Sequence, residues 1–107
     1  MPIRMPLSVK SQRLLDKLGV TAAFARGEAL VLAGPTYELV KDPGIHVCLA
    51  FLHDGEGRLC VGYANDDGGQ WRAVESEPFS MRALGYYERR VKRIGAFVEP
   101  ARRGTRR

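Results

Sequence analysis

The sequence predicts an α+β domain: an antiparallel β-meander of four to five strands, a short N-terminal helix, and a C-terminal amphipathic helix packed on one sheet face. Three observations predict it. Apolar residues alternate with a period of two through the middle of the chain. Glycine-, proline- and aspartate-rich punctuation separates these runs at short intervals. Beyond Pro78 the apolar spacing changes to steps of three and four.

The elements follow in order. Ser8 or Ser11 can cap a helix carrying Leu14, Leu15 and Leu18 on one face, and Gly19 ends it because glycine accepts the left-handed conformation. Residues 21–27 leave room for one more helical turn. Five runs then read as strands. They are 28–33, closed by Gly34-Pro35; 36–41, closed by Asp42-Pro43-Gly44; 45–53, closed by residues 54–57; 58–64, closed by residues 65–69; and 70–75, ahead of Pro78.

Alternation sets the expected register. Ile45, Val47, Leu49 and Phe51 share one face, as do Leu59, Val61 and Tyr63. A three-residue loop, Gly55-Glu56-Gly57, pairs Asp54 with Arg58, Phe51 with Val61 and Leu49 with Tyr63, so both apolar rows meet on one side. The same logic sets Tyr63 opposite Trp71 across the next turn. After Pro78, Ser80 caps a helix running to about Ile94. Its stripe of Leu84, Tyr87, Val91 and Ile94 is expected to lie on the apolar sheet face. Glu99-Pro100 stops regular structure. The organisation is therefore one domain over residues 1–98 and a basic tail over 99–107 that is expected to be disordered.

Length and composition bound the function. The 107 residues support one core, and 45% hydrophobic with 27% charged residues fits a globular chain. No apolar run reaches the ~18 residues of a membrane span, and no signal peptide is evident. The expected location is the cytoplasm, with Cys48 and Cys60 reduced. Thirteen arginines against four lysines and a single asparagine fit a GC-rich bacterial, phage or plasmid genome.

The formal charge of +5 is uneven: residues 88–107 carry a net +6 and the other 87 a net −1. At 100° per residue, Arg82, Arg89 and Arg93 fall on the back of the last helix, with Tyr86 beside them and Arg90 at the margin. Arg102, Arg103, Arg106 and Arg107 extend the positive charge into the tail. Guanidinium groups with an interleaved aromatic suit phosphate contact and base stacking.

The leading expectation is a non-enzymatic protein that contacts the phosphate backbone of nucleic acid through this helix face and tail. An acidic protein surface is the other partner that the basic face suits. The alternative function is a protein-interaction module, such as a phage- or plasmid-encoded inhibitor of a host complex. It rests on the small size, the absence of catalytic motifs and the neutral body, with exposed apolar residues expected away from the arginine row. The third is a small endoribonuclease or toxin using His53 and Glu75, expected about 10 Å apart at one end of the sheet. No glycine-rich phosphate loop, zinc-finger spacing or calcium loop is present, so no cofactor or metal is expected. Cys48 and Cys60 lie about 13 Å apart in the expected register, too far for a disulfide or a shared metal.

Overall fold

The computed structural model describes residues 8–98. Helix α1 (Val9–Lys17) is capped by Ser8, whose Oγ accepts from the Ser11 amide at 3.1 Å. Gly19 turns the chain with φ 80° into α2 (Val20–Ala25), so the ambiguous stretch after Gly19 is a second short helix. Strands β1 (Leu30–Leu39), β2 (His46–His53), β3 (Leu59–Asp66) and β4 (Trp71–Pro78) form the antiparallel meander. Helix α3 (Met81–Ile94) follows, capped by Ser80 through an Oγ that accepts from the Ala83 amide at 3.0 Å. A final strand, β5 (Gly95–Val98), pairs antiparallel with β1. The strand order is β4-β3-β2-β1-β5, so α3 carries the chain across the sheet from one edge to the other.

The five strands are not the five expected runs. The first two fuse into β1, because Gly34-Pro35 is a bulge and not a turn. Ala33 pairs with Leu49 and Tyr37 with Val47, which leaves two surplus residues on β1. Gly34 takes φ 82°, and the Cys48 thiol donates to the Ala33 carbonyl at 3.4 Å in the space the bulge opens. The place of the fifth strand falls to β5, which an apolar pattern of only four residues did not announce.

Register between β2 and β3 is the one that alternation requires. Leu49 pairs with Tyr63 and Phe51 with Val61, and the Asp54 amide bonds the Arg58 carbonyl at 2.9 Å. Gly57 supplies φ 82°. Between β3 and β4 the register differs. Trp71 pairs with Asp66, and Tyr63 faces Glu75. The β3 strand runs two residues further than its polar end suggests, into Asn65 and Asp66, and Val74 is a one-residue bulge on β4.

The large apolar side chains gather on one face. Val47, Phe51, Leu59 and Val61 are fully buried there, with Leu15, Val20 and Phe24 from the N-terminal helices and Ala83, Leu84, Tyr87 and Val91 from α3. Ile94 packs at the margin of the same stripe. The opposite face carries small residues, among them Cys48, Ala50, Cys60 and Ala64, all buried. Gly62 shows why small size matters: a Cβ there would lie 1.8 Å from the Glu75 carbonyl oxygen. The bulged β4 backbone occupies that space.

Two substitutions test this close approach. Gly62→Ala should lower unfolding stability by about 3 kcal/mol or more in urea titration, because backbone must move. Gly55→Ala, with nothing within 4 Å of the added carbon, should stay within about 0.5 kcal/mol of wild type. Equal effects at the two positions would contradict the packing.

Candidate nucleic-acid interface

Helix α3 is placed by its buried stripe. With Leu84, Tyr87 and Val91 against the sheet, Arg82, Arg89 and Arg93 are exposed on the outer side, and Tyr86 keeps 41% of its surface in solvent. From Arg82 to Arg93 the row spans ~16 Å at the ordinary helical rise. Helix α3 carries a net +4, and the rest of the described chain a net −3. Among the described residues, none of these three arginines has a carboxylate within ion-pair distance.

Arg90 does not belong to the row. Its guanidinium lies 5.8 Å from the Tyr63 ring centroid, and its Nε is 3.6 Å from a Glu75 carboxylate oxygen. At the margin of the stripe, one helical position is enough to swing a long side chain onto the sheet. Arg102, Arg103, Arg106 and Arg107 lie outside the described residues.

A groove of about 380 Å³ runs between β4 and α3, lined by Glu75, Glu77, Arg82, Tyr86, Tyr87 and Arg89, among others. Each carboxylate has a neighbour on α3. Glu75 is ion-paired with Arg90, and the Glu77 carboxylate lies near the Tyr87 phenol. Burial, with the two carboxylates nearby, pushes the Tyr87 phenol up to about 12, so it stays a donor. Tyr86 and Tyr87 meet edge to face at 4.9 Å. The sequence places Tyr87 only in the apolar stripe of the helix and does not single out Glu77. The signal was there: Glu75 and Glu77 are two apart on a strand, so they share a face, and Ser80 begins the helix that covers it.

His53 and Glu75 are not brought together. His53 pairs with Leu59, and the residue beside Leu59 on the next segment is Phe79, whose amide bonds the Leu59 carbonyl at 2.9 Å. Glu75 sits opposite Tyr63, four residues further along, which sets it about 16 Å from His53. The slipped β3–β4 register is the cause. His53 stacks on Phe24 at 4.1 Å instead, with its Nε2 buried and without a hydrogen-bond partner among the described residues. That burial lowers its pKa.

Cys48 and Cys60 are free and buried, and burial raises both thiols. They are not activated nucleophiles. No cluster of three or more metal-ligating side chains occurs among the described residues, and no helix there is long and apolar enough to cross a membrane. Searches against known families, curated proteins and solved structures found no match to this chain.

The histidine assignment has a pH signature. A base whose folded pKa is depressed binds its proton better when unfolded, so stability is complete above its ordinary value of 6.5 and declines as pH falls below it. Urea unfolding from pH 8 to pH 5 should show that decline in wild type. A His53→Phe variant, which keeps the stack on Phe24, should lose most of it. An unchanged pH slope in the variant would contradict a buried neutral imidazole.

Proposed function

We propose that this protein binds nucleic acid through the outer face of α3, as a non-enzymatic binding protein. The observation that carries the reading is the row of Arg82, Arg89 and Arg93, exposed and unpaired among the described residues, with Tyr86 between its members. Each guanidinium can fork two N–H donors onto one phosphate. An acidic protein surface would feel the same attraction, but an exposed phenol within the arginine row adds base stacking, which only nucleic acid uses.

Helix electrostatics support the reading. Lys92 and Arg93 lie in the last turn, where the macrodipole favours cations. Arg82 lies in the first turn, where the dipole disfavours them, and that turn holds no acidic residue. Helix stability alone would put a carboxylate there. A cation kept against the dipole fits a partner that supplies the negative charge.

Salt dependence tests the proposal. Binding to a nonspecific oligonucleotide should weaken log-linearly with salt, by about 0.9 log units per phosphate contact on duplex and about 0.7 on single strands. The triple variant Arg82→Gln, Arg89→Gln, Arg93→Gln should reduce that slope by about 2 to 3 units. Its circular dichroism should not change, since none of the three side chains is buried. Absence of binding at low salt, or a slope untouched by the triple variant, would overturn the reading.

A further inference from the structure

We propose that the groove between β4 and α3 reads guanine in single-stranded nucleic acid. Glu77 accepts from the base, Tyr86 stacks on it, and Arg82 and Arg89 hold the neighbouring phosphates. This rests on the nucleic-acid reading above and adds what the groove selects.

The groove has charges of both signs that only partly neutralise one another. Arg82 and Arg89 line one wall and Glu75 and Glu77 the other, and among the described residues neither Arg82 nor Arg89 pairs with either carboxylate. Glu75 is already engaged by Arg90 at 3.6 Å. Glu77 is exposed and has no ion pair among the described residues, and a carboxylate has about four acceptor sites, so most of its capacity is open to the groove. The neighbouring Tyr87 phenol stays protonated at any ordinary pH.

A ligand for such a groove must present an anion and hydrogen-bond donors together. A nucleotide does. Carboxylates repel phosphate, so the backbone must follow the arginines of α3 and the base must turn toward β4. A duplex hides the pairing edges of its bases, whereas a single strand offers them for stacking and hydrogen bonding. The pairing edges of the four bases differ in what they offer a carboxylate. Adenine and cytosine each set a ring acceptor beside their amino group, and uracil has one N–H between two carbonyls. Guanine alone has two adjacent donors, N1–H and the N2 amine, spaced for the two oxygens of one carboxylate. Tyr86, half-exposed and braced edge to face by Tyr87, provides the stacking surface.

The test uses the full chain and two labelled nine-nucleotide RNAs, one all uridine and one with a central guanosine, measured by fluorescence anisotropy at low salt. The guanosine probe should bind about tenfold more tightly. Inosine at that position, which lacks the N2 amine, should lose most of the gain. Glu77→Gln replaces one acceptor by a donor. It should erase the preference without weakening all-uridine binding, since the substitution removes a charge that repels phosphate. Should that variant melt early, the exposed Tyr86→Ala serves instead, and it too should lose the guanosine advantage. Equal wild-type affinity for the two probes, or a preference that survives both substitutions, overturns the guanine site and leaves phosphate binding standing. Failure of both probes to bind removes the nucleic-acid reading itself.

Discussion

The apolar stripe of α3 against the β2–β3 face governs what this molecule shows to its surroundings. Leu84, Tyr87 and Val91 are each less than a twentieth exposed, and they meet a floor built from Val47, Phe51, Val61 and Tyr63. Burying a side chain of this size contributes about 1.5–3 kcal/mol, so rotating the helix out of register would cost several such terms at once. With the rotation fixed, every other position on α3 is fixed too. Arg82, Arg89 and Arg93 must face solvent, and Arg90 must reach the sheet.

The same constraint couples helix to strand. Ser80 caps α3 only two residues after β4 ends, so the β4 carboxylates and the first turns of α3 are set side by side. The close passage of β4 over Gly62 and the bulge at Val74 determine which β4 side chains meet the helix. Glu75 and Glu77 are brought under Tyr87 and Arg90, and the groove with charges of both signs results. Chemistry at the far end of the sheet loses its partner by the same register: His53 is left to pack on Phe24.

Patterns with a strong local cause were legible in the sequence. The Ser80 cap, the three- and four-residue spacing of Leu84, Tyr87, Val91 and Ile94, and the loop that needs Gly57 in a left-handed conformation each follow from neighbours in the chain. The arginine row was readable for the same reason, since a helix's buried stripe defines its exposed side. Features decided at long range were not. Gly34-Pro35 is as good a turn as a bulge until Cys48 and Val47 are seen across from it. Asn65 and Asp66 look like loop residues, and only pairing with β2 and β4 makes them strand. That shift of a few residues moved Glu75 from a supposed partner of His53 to a wall of the groove beside α3. Residues 95–98 are too few to show a period, and they become a strand because the open edge of β1 accepts them.

Amide chemical-shift mapping with a single-stranded nine-nucleotide RNA tests the central claim most directly, because it reports where a polyanion sits on the folded protein. The account predicts shifts concentrated along the outer side of α3, at 82, 86, 89 and 93, and on β4 at 75 and 77. Shifts confined to the small-residue face of the sheet or to the His53 end, with α3 silent, would contradict it.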